Sequence, residues 1–246
     1  HLGSDAAGAC AAWLLATSPT FVAMSKSVMS DVPAAAFWAL FPYYTQQLGG
    51  QQCSAANFSM VLNAARAGQD LRASDELVSI ASLLEKYTDE RYSKFMNAKF
   101  SLKDLVSGSF DRSNVGNKRL AEVLGIAAKK LGVASANTKV EMVLAEMKDL
   151  TKGRKQFHDA LVQNEKSADD FMILSFMQGV VTGDPEGVAH VATVGAYDAK
   201  KKLVLLFDPD RQYYEPYWAP EETVFKSVFN KGADAEAPGW VYFKVR

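Results

Sequence analysis

Few residues in this chain could do chemistry, and their spacing is what makes them informative. There are two cysteines, Cys10 and Cys53, and three histidines, His1, His158 and His190. Cys53 closes the polar, glycine-containing stretch "TQQLGGQQC" and opens "SAANFSMVLNAARAG". In the second stretch Phe58, Val61, Leu62 and Ala65 recur at helical spacing, so a helix is predicted from Cys53 to Arg66. The thiol then sits at a helix N-terminus. Unpaired N–H groups and the positive end of the helix dipole stabilise an anion there, which raises the thiolate fraction and makes Cys53 a candidate nucleophile. Taken alone, Cys53 has a simpler reading as a small buried hydrophobe, the role of most free cysteines.

A thiolate nucleophile needs an imidazole. His1 is terminal, and His158 falls in a predicted helix over 153–164 beside Lys155, Gln156 and Asp159, which reads as a solvated face. His190 begins a predicted strand directly after the loop 183–187, where a rigid element meets a loop and catalytic groups tend to sit. The competing reading for His190 is a satisfied core histidine. The imidazole in turn needs an orienting acceptor. Asp208 ends "LVLLFDPD", either as a turn former before Pro209 or as a carboxylate set at a sheet edge. The midpoint of 190 and 208 is 199, inside the turn predicted over 198–201. That register makes His190 and Asp208 cross-strand neighbours, about 4.5–5.5 Å apart between Cβ atoms. Acyl transfer also needs a donor for the developing oxyanion. Gln46, Gln47, Gln51 and Gln52 all precede Cys53, and any of them could serve together with the Cys53 backbone N–H.

The elements that must carry these groups change character along the chain. The first two thirds read as helices: 53–66; 74–87 with Leu77, Ile80, Leu83 and Leu84; one opened by Ser101 and Asp104; 117–131 ending at Gly132; one opened by the capping box Thr138 and Glu141; and 153–164. The last third reads as strands: "DFMILSFM", the pair around the 198–201 turn, and the terminal "GWVYFKV". Helices followed by antiparallel strands give an α+β class. The N-terminal "HLGSDAAGACAAWLLATSP" reads as a first helix closed by Ser18 and Pro19, with a non-native leader or a truncated signal peptide as alternatives.

Composition bounds the function classes. The 246 residues are 48% hydrophobic and 22% charged, enough for one large domain or two fused lobes. A net charge of −1 provides no basic field for nucleic acid. No apolar run approaches the roughly 20 residues of a membrane span. Two cysteines are too few for a disulfide framework or a thiolate metal cluster, so a heavy-metal binding protein ranks low.

"TQQLGGQQCSAANFSMVLNA" resembles the first signature of phytochelatin synthases, with a glutamine six residues before the cysteine. "HVATVGAYDAKKKLVLLFDPDRQYYEPYW" resembles their second signature, with His and Asp 18 residues apart, and "GWVYFKV" resembles their closing strand. The resemblance implies a papain-like fold, with a helical lobe over about 41–168, a sheet lobe over about 169–246, and residues 1–40 as an N-terminal segment. It implies Cys53 as nucleophile, His190 as general base and then acid, Asp208 as orienter and Gln47 as oxyanion donor. It implies cleavage of the Cys–Gly bond of glutathione, or of a similar γ-glutamyl thiol peptide, through a γ-glutamylcysteinyl thioester. Short relatives pass that acyl group mainly to water, and hydrolysis is expected here. Arg211 and Tyr214 match positions that hold the γ-glutamyl group, for which a bidentate guanidinium suits the carboxylate. No cofactor is expected; cadmium or zinc would enter as part of a metal–thiolate substrate or as an activator. A homodimer is compatible with the resemblance, and the compartment is left open between cytoplasm and periplasm. Two departures from the family pattern, Ser54 after the nucleophile and Ala189 before the histidine, each replace glycine and put substrate identity in question. A peptidase or amidase acting on another small substrate is the alternative.

Overall fold

The computed structural model describes residues 35–47, 52–67, 76–86, 117–134, 138–144, 149–185, 188–229 and 239–245. Among them are seven α-helices and one six-stranded antiparallel sheet. In chain order the elements are α1 (Ala35–Leu40), a 3₁₀ turn (Phe41–Tyr43), α2 (Cys53–Ala67), α3 (Ile80–Lys86), α4 (Asn117–Lys130), β1 (Lys139–Leu144) and α5 (Leu150–Glu165). Then follow β2 (Asp170–Met177), α6 (Gln178–Thr182), β3 (Ala189–Asp198), β4 (Leu203–Phe207), β5 (Tyr217–Pro220), α7 (Glu221–Val228) and β6 (Gly239–Lys244). The sheet order is β1-β6-β2-β3-β4-β5, so the last strand of the chain is inserted between the first two. The fold is α+β, as the order of helical and strand periodicities indicates. The predicted features at His1, Cys10, Ser18 and Ser101 to Asp104 lie outside the described residues.

Alternation along the strands creates the two faces of the sheet. Met172, Leu174 and Phe176 of β2, Ala192 and Val194 of β3, and Trp240 and Tyr242 of β6 share one core with Phe157 and Leu161 of α5 and Val224, Phe225 and Val228 of α7. Helix α2 packs on β3 and lies against the first helix and the 3₁₀ turn. Its residues 55–65 are all buried, which explains a run of small and apolar side chains with little polar relief. No helix among the described residues is long and apolar enough to cross a membrane.

Three local readings change. The capping box at Thr138 and Glu141 does not start a helix; Lys139–Leu144 is an edge strand paired with β6 in the register Val140↔Phe243 and Met142↔Val241. The helix expected over 74–87 begins only at Ile80. Side chains of α2 draw the Val78 backbone out of any helix: Asn63 Oδ1 accepts from the Val78 N–H at 2.8 Å, and the Val78 carbonyl accepts from Ser59 and Asn63. Ser79 and Ser82 then cap the shortened helix reciprocally. The third change is at the β3–β4 turn. The pairs run Asp198↔Leu203 at the turn and Thr193↔Phe207 at the far end, with a bulge between Val194 and Ala196. Gly195 sits in that bulge because a Cβ there would lie 3.0–3.1 Å from the Phe207 ring.

Candidate active site

Cys53 is the first residue of α2, so the sequence does put a thiol at the start of a helix. What the sequence conceals is how that helix is fixed to the sheet. Asn57, one turn on, donates from Nδ2 to its own Cys53 carbonyl and to the Val191 carbonyl of β3, both at 2.8 Å. The Thr193 hydroxyl donates to Asn57 Oδ1 at 2.5 Å. A buried amide with both ends satisfied thus locks the helix start beside the residue that follows His190.

His190 is the second residue of β3 and is buried. Its Nε2 lies 2.7 Å from Asp208 Oδ1, and the Cys53 thiol is close enough to its ring for each to shift the other's pKa. With Nε2 engaged by the carboxylate, Nδ1 is the ring nitrogen left for the thiol. Phe176, directly opposite in β2, packs edge-on against the imidazole with centroids 5.9 Å apart.

The His190–Asp208 contact does not arise by the register the sequence suggested. Extending the Thr193↔Phe207 pair outward sets Asp208 against Ala192, with His190 two residues beyond. The reach is therefore diagonal rather than straight across. An offset of two preserves the side of the sheet on which each group stands, so the pairing survives.

Asp208 has no exposed surface, yet each oxygen has two donors. Oδ1 accepts from His190 and from the Asp210 N–H at 2.9 Å. Oδ2 accepts from Gln178 Nε2 and from the Tyr217 hydroxyl, each at 3.1 Å. The Asp208 carbonyl takes the Tyr44 hydroxyl at 2.6 Å, and the neighbouring Pro209 carbonyl takes the Gln47 N–H at 2.8 Å.

Burial and pairing oppose each other in setting the charges. Burial alone would raise the Cys53 thiol, but the His190 hydrogen bond and charge, with the N–H groups of Val191 and Ser54, outweigh it and lower the pKa. Burial alone would lower His190, but Asp208 and Cys53 hold its proton and push it up to about 10. Burial would raise Asp208, and His190, the Asp210 N–H and the Gln178 amide together hold it below the usual carboxylate range. The Cys53 and His190 shifts both favour a thiolate–imidazolium pair backed by a carboxylate, an arrangement that could attack an electrophilic carbonyl and protonate the leaving group.

The other predicted positions are placed as follows. Gln47 is buried, with its backbone tied to the Asp208 loop and its Oε1 unpartnered. Gln46 is exposed, and Gln51 lies outside the described residues. Gln52 is buried with neither amide atom hydrogen-bonded. Ser54 and Ala189 are half-buried beside the site. Arg211 lies over the Tyr44 ring, 4.8 Å from its centroid, and 3.8 Å from Glu215. The Tyr214 hydroxyl is 3.5 Å from Asp184 of the loop ahead of His190. His158 is not simply solvated: its Nδ1 meets Glu221 at 3.1 Å and the Tyr197 hydroxyl at 3.0 Å. Sequence reasoning missed Asn57, Gln178, Thr193 and Tyr217. The available signal was a polar residue inside an apolar run or at its end, as in "AANFSM" and "DFMILSFMQ".

Comparison with known families gives a match over residues 17–239 to the family model described as phytochelatin synthase. A search of curated proteins found no match.

Proposed function

This chain belongs to the phytochelatin synthase family, and from that premise we propose that it is a papain-like cysteine acyltransferase for which water is the main acceptor. Family members are cysteine-dependent glutathione γ-glutamylcysteinyltransferases, so cysteine-based chemistry on glutathione comes with membership. The observation that best supports the finer reading is the buried His190–Asp208 pair at 2.7 Å, with the Cys53 thiol beside the imidazole and its pKa lowered by it.

In this reading the Cys53 thiolate attacks the carbonyl carbon of the Cys–Gly bond of glutathione. The oxyanion is met by the Cys53 backbone N–H and the Gln47 amide. The C–N bond breaks as the His190 imidazolium gives its proton to the glycine amine, leaving a γ-glutamylcysteinyl thioester on Sγ. Neutral His190 then takes a proton from water, the hydroxide adds to the thioester carbonyl, and the thiolate departs to restore the ion pair. Asp208 keeps the ring in the orientation that faces Nδ1 to sulfur. Arg211 and Tyr214, on the loop after β4, are assigned to the γ-glutamyl end. The Cβ atoms of Ser54 and Ala189 narrow the space for a second peptide, which favours water. Cadmium or zinc has a place here as part of a metal–thiolate substrate or as an activator.

Incubation with glutathione followed by mass spectrometry tests the proposal. Free glycine with γ-glutamylcysteine is the expected product set. Dominant γ-glutamylcysteinyl oligomers would overturn the preference for water. Absence of glycine release by folded protein would overturn glutathione as the substrate.

A further inference from the structure

Asp208 is held more tightly than its contact with His190 requires. Two neutral side chains from different elements converge on Oδ2: Gln178 from the junction of β2 and α6, and Tyr217 from β5. The choice of neutral donors matters. A lysine or arginine there would neutralise the carboxylate and weaken its hold on the imidazolium. An amide and a phenol satisfy the oxygen while leaving the full negative charge for His190. Gln178 also acts through its main chain. Its N–H donates to the Val188 carbonyl at 3.0 Å, and its own carbonyl accepts from the Thr182 hydroxyl at 3.1 Å. The residue that braces the carboxylate thus also fixes the segment that leads into His190.

We propose that Gln178 and Tyr217 are positioning residues of the acid–base pair. Together they fix Oδ2 so that Oδ1 stays on His190 Nε2 and Nδ1 stays on Cys53. The inference rests on the reading of Cys53 as nucleophile given above. A carboxylate free to turn about its terminal bond would exchange its oxygens and let the imidazole swing. Two donors on opposite elements remove that freedom. The other titratable or charged groups around the pair are Cys53 on α2, Tyr44 ahead of α2, and Asp210, Arg211 and Glu215 on the loop after β4. None of them donates to Oδ2 among the described residues.

The test uses the full chain with Tyr217→Phe, Gln178→Met and the double variant, each checked for cooperative thermal unfolding. Two readouts are compared with wild type: steady-state glutathione cleavage, and the pH dependence of Cys53 alkylation by iodoacetamide without substrate. Each single variant should lower kcat about three- to tenfold with KM little changed, the scale of one hydrogen bond to a charged group. The acid limb of alkylation should move to higher pH, because a less firmly held imidazolium stabilises the thiolate less. Lower melting temperatures with an unmoved alkylation limb and unchanged kcat in both folded variants would reduce the two residues to packing and overturn the proposal. A wild-type thiol that labels at pH 6 no faster than free cysteine overturns the nucleophile reading and this proposal with it. A shifted limb without glycine release supports the clamp and removes only glutathione as the substrate.

Discussion

Strand β3 has a histidine–carboxylate pair at each end. At its start, His190 meets Asp208 at 2.7 Å with side chains 5% and 0% exposed. At its end, Tyr197 meets His158 of α5 and Glu221 of α7, a pair 3.1 Å apart with side chains 39% and 15% exposed. The Tyr197 hydroxyl also donates to Glu221. In the first pair the carboxylate takes one ring nitrogen and leaves the other for a thiol. In the second, carboxylate and phenol both crowd Nδ1. The cleft of about 450 Å³ beside it is lined by Arg154, His158, Lys202, Glu221 and Phe225 among others, with no cysteine, serine or threonine among the described residues. The difference teaches that a histidine bound to a carboxylate is not by itself a site. Exclusion of water and a thiol beside the imidazole are what separate the two ends.

The strongest way to break this comparison is to remove the nucleophile. Cys53→Ser should lower glutathione turnover by at least about a thousandfold, since a hydroxyl is not ionised by this pair. Cys10→Ser should leave turnover intact. Loss of activity in folded Cys10→Ser would call for a two-thiol mechanism instead.

Next come the carboxylates. Asp208→Asn should cost about 10²–10⁴ in kcat with the fold retained, because an amide can hold the wrong imidazole tautomer. Glu221→Gln, the matched change at the other end, should alter kcat by less than about threefold while lowering the melting temperature. If both changes cost activity equally, the two ends are coupled and the contrast drawn here is wrong.

The pH dependence of the thiol sharpens the contrast further. The pKa of Cys53 is lowered and that of His190 is pushed up to about 10, and both shifts favour the ion pair over the neutral pair. Iodoacetamide at pH 6 should therefore modify Cys53 well faster than a free thiol, and Asp208→Asn should slow it.

The smallest effect lies at the far end. The Tyr197 N–H donates to Glu165 Oε2 at 2.7 Å, and burial of a carboxylate whose Oε1 has no partner pushes Glu165 up to about 7. A carboxylate raised in the folded state binds its proton more tightly there. Stability is therefore full below its ordinary range and declines as pH rises toward 7. Glu165→Gln should raise the melting temperature at pH 8 and leave it nearly unchanged at pH 4. An equal gain at both pH values would show that charge is not the cause.

The sequence was legible where information is local. The helix from Cys53, the strands around the β3–β4 turn and the glycine stop at Gly132, whose φ is 68°, can all be read within a window of a few residues. The reading of Lys139–Leu144 as a helix failed because a capping box is visible locally, whereas the partner strand lies about a hundred residues away. The His190–Asp208 pairing was predicted from a turn centre one residue off. The parity of the strands protected it: moving the turn centre by one residue moves the cross-strand partner by two, which keeps it on the same face. Gln178 was legible only as a polar residue ending an apolar run, and the role of Gln178 and Tyr217 was not, because it is a shared acceptor that only the fold brings to them.

The bond from Asn57 to the Val191 carbonyl joins residues 134 apart in sequence. It makes the reactivity of Cys53 a matter of timing. A ribosome adding about 5–20 residues per second completes Cys53 roughly 7–30 seconds before it reaches His190. Through that interval neither the imidazole nor the carboxylate behind it exists, and the sulfur is an ordinary thiol. The proposed nucleophile gains its partners only once β3 and β4 have been made and docked on α2. The nascent chain therefore carries its cysteine without the groups that would lower its pKa, and bringing them to it closes a loop of 134 residues.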